Sequence, residues 1–245
     1  MKSSLDVSID NLVGHSEAVL NALGSPGDFT PELWTNPHEF EVPYGQAITT
    51  GGEDRASDHY AAIEAFVSSQ DRNAPTFVQD SYSNLDLKPI GFEVFFSTTW
   101  TVREPESTAP ILPDGFVIST VETRDELSEL DAATATGFGQ AHGVVVYSDA
   151  LLEDDRYSFY VGRSGGELVS GVLSFDDRKS VGIYSLFTLP ERRRHGFGES
   201  LVRAALSDAP GLPAITNPGD MSSDLFMRVG FIEVGTRTIW VHRPE

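Results

Sequence analysis

Four consecutive side chains that are cationic or can donate a hydrogen bond, Arg192-Arg193-Arg194-His195, stand directly before Gly196-Phe197-Gly198-Glu199-Ser200. Ahead of them Ser185-Leu186-Phe187-Thr188-Leu189 reads as a strand of branched and aromatic residues, stopped by Pro190. Behind them Leu201-Val202-Arg203-Ala204-Ala205-Leu206 reads as a helix. A helix start leaves backbone N–H groups without partners and carries roughly half a unit of positive charge. Such a junction holds a phosphate without needing a side chain. Gly196 and Gly198 remove Cβ atoms that would keep a diphosphate off that backbone. Arg192, Arg193, Arg194 and His195 add donors around its mouth. In a chain of net charge -20, this local reversal of sign points to an anionic ligand.

Three familiar phosphate loops do not fit. A Walker loop needs Gly-Lys-Ser/Thr, and Gly198 is followed by Glu199 and Ser200. A dinucleotide fingerprint needs a third glycine that is absent here. A kinase glycine loop joins two strands, whereas this one opens a helix.

The stretch resembles the signature of the GNAT acetyltransferase superfamily: a strand ending in Val-x-Pro, two residues, then Arg/Gln-x-x-Gly-x-Gly/Ala. Here it reads Thr188-Leu189-Pro190, Glu191-Arg192, Arg193-Arg194-His195-Gly196-Phe197-Gly198, departing only in Thr188. The flanks agree. Residues 157–176 look like the preceding hairpin, and Phe226-Met227-Arg228-Val229-Gly230-Phe231 like the closing helix and Gly-Phe turn. The resemblance spans about residues 114–243.

It implies an α/β fold with a mixed sheet, the GNAT acyl-CoA N-acyltransferase fold. The implied activity is transfer of an acetyl or other acyl group from acetyl-CoA to a primary amine of a small molecule or peptide, without a metal. Backbone groups of Leu186, Phe187 and Thr188 would pair with the pantetheine arm, one N–H facing the thioester oxygen. Arg194, Gly196, Gly198 and Glu199 would offer amides to the diphosphate, with Phe197 between them. Arg193 would lie beside it, His195 would contact phosphate, and Ser200 would donate a hydroxyl. Asn217 is the nearest match to an asparagine that many relatives carry after the central strand. The tyrosine that often serves as acid in the family is Phe226 here, which has no proton to give. A base is equally hard to name. Tyr184 on the central strand either faces the acceptor or packs, and His142 lies in the segment that borders the acceptor cleft in relatives. Two functions therefore stay open: a working N-acyltransferase, and a non-catalytic acyl-CoA-binding sensor or interaction module.

The whole chain sets bounds on these readings. At 245 residues it accommodates one large or two small domains. It has no cysteine, which excludes disulfides, thiolate zinc sites and a cysteine nucleophile. The sequence contains no apolar run of about 18 residues, and its first residues lack the apolar core of a signal peptide, so the expectation is a cytoplasmic protein that does not enter a membrane. Carboxylates outnumber basic residues 37 to 17, and only Lys2, Lys88 and Lys179 are lysines. Such acidity argues against a nucleic-acid partner. Scattered along the chain, it resembles the composition of a halophile's cytoplasmic protein, in which concentrated salt screens self-repulsion, the alternative being an acidic face that attracts a basic partner.

Periodicity predicts helices over 9–23, over 57–69 with Tyr60, Ile63, Phe66 and Val67 on one face, over 125–136, and less regularly over 141–152. Strands are expected at 75–78, 116–121, 157–163, 167–175 and 180–189, with short apolar runs at best in 25–52. Residues 91–103 and 230–243 both read as hairpins, and they match: each opens Gly-Phe, is Thr-rich in the middle and ends Trp-x-x-Arg, at offsets of 139 between Gly91 and Gly230 and 140 between Trp100 and Trp240. Pro75-Thr76-Phe77-Val78 matches Pro213-Ala214-Ile215-Thr216 at an offset of 138. This drift suggests an internal repeat, hence a tandem of two GNAT-like halves: residues 1–106 without a cofactor site, a linker over 107–115, and the acetyltransferase domain over 116–245. In the first half Thr50-Gly51-Gly52-Glu53-Asp54-Arg55 stands where the basic cradle should be, and its acids would repel a diphosphate.

Overall fold

Ser3 opens the first helix, α1 (Ser4–Ala22), through a reciprocal cap: its hydroxyl accepts from the Asp6 amide, and the Asp6 carboxylate accepts from the Ser3 amide. The structure, a computed structural model, describes residues 2–36, 45–70, 75–106, 108–139 and 147–243. Along the chain follow β1 (Asp28–Phe29), β2 (Leu33–Thr35), β3 (Ala47–Thr49), α2 (Ala56–Ser69), β4 (Thr76–Asp80), β5 (Glu93–Arg103), β6 (Phe116–Thr120) and α3 (Arg124–Phe138). Then come β7 (Tyr157–Ser164), β8 (Glu167–Asp176), β9 (Val181–Thr188), α4 (Phe197–Ser207), β10 (Ala214–Thr216), α5 (Asp220–Arg228) and β11 (Ile232–His242). Thr123 and Glu126 cap α3 as Ser3 and Asp6 cap α1.

Two compact units result, one of Met1–Trp100 with Glu233–Glu245 and one of Thr101–Ile232. In the first, β1, β2 and β3 run antiparallel in succession, β3 pairs parallel with β4, and β4 pairs antiparallel with β11 from Thr238↔Asp80 to His242↔Thr76. Its core joins Leu33, Ala47, Val78, Leu87 and Trp240 to Ile63 and Val67 of α2, with Tyr60 and Phe66 at the margin. The apolar face expected for α2 is the one it buries.

In the second unit the order is the end of β5, then β10, β9, β8, β7 and β6. Among the described residues of this unit only β9 and β10 pair in parallel; the other neighbours are antiparallel. Against one face, Val202, Ala205 and Leu206 of α4 and Phe226 of α5 join Val169, Val172, Val181 and Ile183. On β9, Phe187 serves α3 instead: a Cβ added at Gly137 of α3 or at Gly171 of β8 would come within 2.6 Å of its ring. Two absent side chains make the socket that seats the end of α3 on the strand.

One run of elements occurs in both halves of the chain. In one half a strand, a glycine turn, a helix and a parallel strand are β3, α2 and β4; in the other they are β9, α4 and β10. The two expected hairpins are each one unbroken strand of 11 residues, β5 and β11. Gly91 (φ 87°) and Gly230 (φ 99°) end the turns before these strands, and no turn interrupts either strand along its length. These closing strands are exchanged: the end of β5 pairs with β10, and β11 pairs with β4. Residues 25–52, where only short apolar runs are expected, carry β1, β2 and β3. Of the expected helix over 141–152, residues 149–152 form a 3-10 turn, and 141–146 lie outside the described residues.

Candidate functional site

The candidate site lies in the second unit, where β9 and β10 part. They pair only at Ala214↔Val181 and Ile215↔Gly182, and the Thr216 hydroxyl then donates to the Ile183 carbonyl at 2.8 Å. Beyond that tie, Asn217, Pro218 and Gly219 lead into α5 while β9 continues for five residues to Thr188. Over Ser185–Thr188 the edge of β9 that faced β10 has no strand partner among the described residues. Ser185 adds to the parting. Its φ is 52°, and the register with β8 shifts between Gly171 and Leu173. This is a bulge that places two strand residues opposite one and bends β9. Such an edge offers alternating N–H and C=O groups to any extended amide-bearing chain.

At its end β9 runs through Leu189 and a 3-10 turn, Pro190–Arg192, into the basic residues. Arg194 (φ 66°) and Gly196 (φ 83°) take left-handed backbone, and α4 begins at Phe197 with no side chain capping it. Its first N–H groups therefore lack an intrahelical partner, at the positive end of the helix dipole. Gly196 is exposed, as an anion cradle requires, and Gly198 is buried. A Cβ at Gly198 would meet Leu225 Cδ1 at 3.3 Å and Thr188 Oγ1 at 3.4 Å. The second glycine thus allows α4 to pack close to the strand as well as baring backbone.

The basic side chains separate. Arg192 pairs with Glu167 at 2.5 Å. Arg193 turns back: its Nε donates to the Thr188 carbonyl at 3.1 Å, Nη2 to the Gly137 carbonyl at 3.2 Å, and Nη1 lies 3.8 Å from Met221 Sδ. Arg194 is exposed, and among the described residues no carboxylate or carbonyl holds its guanidinium. The His195 ring nitrogen Nδ1 sits 2.9 Å from the Arg193 carbonyl, and the ring stacks on Phe197, which stacks in turn on Phe116. Ser200 is buried, and its one hydroxyl proton goes to the Ile111 carbonyl, the nearer of two carbonyl oxygens, with that of Gly196 at 3.0 Å, so it is engaged between the helix and the preceding linker. Glu199 holds Arg203 at 2.9 Å and lies 3.7 Å from Arg228.

Among the residues considered for catalysis, Tyr184 is buried on β9 opposite Leu173, one position before the bulge. Phe226 is buried in the apolar cluster, edge-to-face with Phe231 at 5.2 Å. Asn217 is half-buried where β10 ends. His142 lies outside the described residues. Asp176 and Asp177 accept from the backbone amides of Arg178, Lys179 and Ser180, the turn role their spacing suggests. Sequence reasoning misses the Ser185 bulge, which no glycine announces, and the partner of the unusual Thr188. Ser170 on β8 donates its one hydroxyl proton to the Phe187 carbonyl at 2.5 Å, so in its 2.8 Å contact with Thr188 Oγ1 the threonine is the donor. Thr188 Oγ1 lies beside the start of α4, 3.4 Å from where a Cβ at Gly198 would stand.

The equivalent turn of the first unit is filled by its own chain. The Gly52 amide donates to the Tyr82 hydroxyl at 2.9 Å, and a Cβ at Gly51 would lie 2.2 Å from the Pro31 carbonyl. Arg55 is drawn away to Glu32 and Asp58, and His59 Nε2 lies 2.6 Å from the Thr50 carbonyl.

Residues 124–231 match the Acetyltransferase (GNAT) family. A GCN5-related N-acetyltransferase from Kribbella flavida is similar in structure with a TM-score of 0.66 at 16% identity, covering 95% of this chain and 96% of that one. A functionally unknown conserved protein from Staphylococcus epidermidis gives 0.63 at 13% identity over 94% of this chain and 100% of that one. A GCN5-related N-acetyltransferase from Sphaerobacter thermophilus gives 0.59 at 12% identity over 99% and 95%. A comparison with curated proteins finds no match.

Proposed function

We propose that this chain, which carries a GNAT acetyltransferase domain at residues 124–231, transfers an acetyl group from acetyl-CoA to a primary amine of a small molecule or peptide. One observation carries the reading: an open strand edge, Ser185–Thr188, ends at an uncapped helix start with an exposed Gly196 and an unpaired Arg194. The edge suits the amides of a pantetheine arm, and the turn suits a diphosphate. In this chain of carboxylate excess ten arginines pair with a carboxylate among the described residues, so one held free at a helix start is suited to an external anion.

In the reaction the amine nitrogen adds to the thioester carbon, forming the C–N bond, and the carbonyl oxygen takes the charge beside a main-chain N–H of β9. Collapse breaks the C–S bond, and the sulfur leaves as thiolate. Phe226 supplies no proton, so the proton shed by the amine nitrogen returns to the thiolate through water. The diphosphate is held by the amides of Arg194, Gly196, Gly198 and Glu199 together with the Arg194 guanidinium. No metal enters the scheme. The first repeat is ligand-free in this reading, because Tyr82 and Pro31 occupy its turn. The acidic surface is an adaptation to concentrated salt in a cytoplasmic setting; among the described residues no helix is long and apolar enough to cross a membrane.

The test is calorimetric titration with CoA in molar KCl, followed by free-thiol release from acetyl-CoA with spermidine, glucosamine and a short peptide bearing a free N-terminus. Arg194→Glu is expected to weaken CoA binding by about tenfold or more. Unchanged affinity would show that the cradle lies elsewhere. Tight CoA binding with no thiol release on any amine would favour the sensor reading, to which the buried Phe226 already leans.

A further inference from the structure

The side chain of Arg193 does something its place in the basic turn does not suggest. Its three nitrogens are directed to three elements of the second unit: Nε to the last carbonyl of β9, Nη2 to the last turn of α3, and Nη1 to the first turn of α5 at Met221. Helix α3 has no basic residue in its own last turn, and its final carbonyls form the negative end of a 15-residue helix. The Arg193 guanidinium supplies the missing cation from outside. The same helix end is gripped a second time, because the Phe187 ring fills the space left by Gly137 and Gly171. Directly after this grip come Phe138, half exposed, and Gly139 (φ 68°), where α3 stops. A planar fork with fixed donor directions makes such a three-way tie, and an ammonium on a flexible stem does not.

We infer that Arg193 is a positioning residue that fixes the end of α3 to the end of β9, and that it is not a ligand of the coenzyme's phosphates. Resting on the acetyl-CoA reading above, this divides the labour within the turn. Arg194 and the helix amides take the anion, and Arg193 sets the distance between the strand that presents the thioester and the end of α3, after which comes the segment that borders the acceptor cleft in relatives. Acceptor affinity then depends on a residue that touches neither substrate.

The experiment compares Arg193→Ala, Arg193→Lys and Arg194→Ala, each first checked for an intact fold by circular dichroism. Three quantities are read: CoA affinity by calorimetry, deuterium exchange of the Gly137, Phe138 and Gly139 amides, and the separate KM values for acetyl-CoA and for whichever of the three amines turns over fastest. For both Arg193 variants CoA affinity stays within about threefold of the parent. Exchange at the end of α3 accelerates by about tenfold or more, and the amine KM rises while that of acetyl-CoA does not. Lysine rescues neither effect, since it lacks the fork. A phosphate ligand would behave oppositely: CoA affinity would fall by about tenfold in Arg193→Ala, recover in Arg193→Lys, and leave exchange unchanged. That pattern overturns the inference. Arg194→Ala separates the two readings. If it leaves CoA affinity intact, the cradle has been misplaced, whereas the α3 exchange result still judges Arg193. If no amine turns over, the affinity and exchange arms decide.

Discussion

Arg192, Arg193 and Arg194 are chemically identical neighbours, and their surroundings give them three occupations: an ion pair with Glu167, a tie between carbonyls, and an exposed charge. What each does follows from which acceptors the backbone brings near it, and that information is not local in sequence. His15 on α1 makes the same point about environment. It is buried in the first unit, and burial pushes its pKa down to about 3 from about 6.5. A base that stays neutral in the fold while the unfolded chain takes up a proton loses stability as pH falls. The loss begins near pH 6.5, grows until about 3, and amounts to roughly 2 kcal/mol by pH 5. Above 6.5 it contributes nothing. Glu129 and Asp154, held below the usual carboxylate range by Arg163 and Arg156, add losses at lower pH, so the comparison belongs between pH 6.5 and 5. Urea denaturation across that window is expected to show falling stability for the parent and a nearly flat profile for His15→Gln. Parallel profiles would mean that the ring takes up its proton in the folded state.

At the scale of elements, the junction of α3 with β9 depends on what is absent. Gly137 lies inside a helix, where alanine is favoured by about 1 kcal/mol. A methyl there would sit 2.6 Å from the Phe187 ring, and overpacking a filled core costs about 1–3 kcal/mol. Clash outweighs propensity. Gly137→Ala is therefore expected to lower the melting temperature and to raise the amine KM, because the end of α3 must move; a more stable variant would show that the socket has slack. The sequence shows why such features differ in legibility. The Thr188-Leu189-Pro190 stop, the basic turn and Gly196 are contiguous, and each is tied to a backbone requirement within a few residues, so the geometry of this turn reads directly. Ser185 takes left-handed backbone because β8 and β9 fall out of register, and Ser200 is consumed by Ile111, 89 residues away. Pairing of that range leaves no local trace. β5 and β11 read as hairpins in the sequence for the same reason: alternation marks a strand, but only a suitable turn marks its reversal. Within β11, Gly235 imitates such a turn, whereas a Cβ there would lie 3.2 Å from Leu5, so the residue marks a close approach.

At the scale of the whole molecule, the chain's last strand completes its first unit. Residues 233–245 bring Ile239, Trp240 and Val241 into the core there, and they supply the only antiparallel partner of β4 among the described residues. Deleting them removes a five-pair ladder and a buried tryptophan from a domain whose net stability is about 5–15 kcal/mol. The α2 and β4 amides are then expected to lose their protection from exchange, and retained protection would show that the first hundred residues hold together by themselves.

Charge acts on the same scale but through the solvent. The described ion pairs are mostly exposed and contribute about 0.2–1 kcal/mol each, whereas the uncompensated charge of -20 repels itself throughout. Salt weakens both terms. It weakens the repulsion more, because the attractions act over contact distances and the repulsions act beyond the roughly 10 Å screening length of 0.1 M salt, which shrinks to about 3 Å at 1 M. Raising KCl from 0.1 to 2 M is therefore expected to raise the melting temperature, most steeply below about 1 M, where the screening length changes fastest. Sucrose, which strengthens burial without screening charge, separates this from general exclusion effects. If sucrose reproduces the whole stabilisation, or KCl produces none, the acidic surface has another purpose, and a basic macromolecular partner becomes the better account of it.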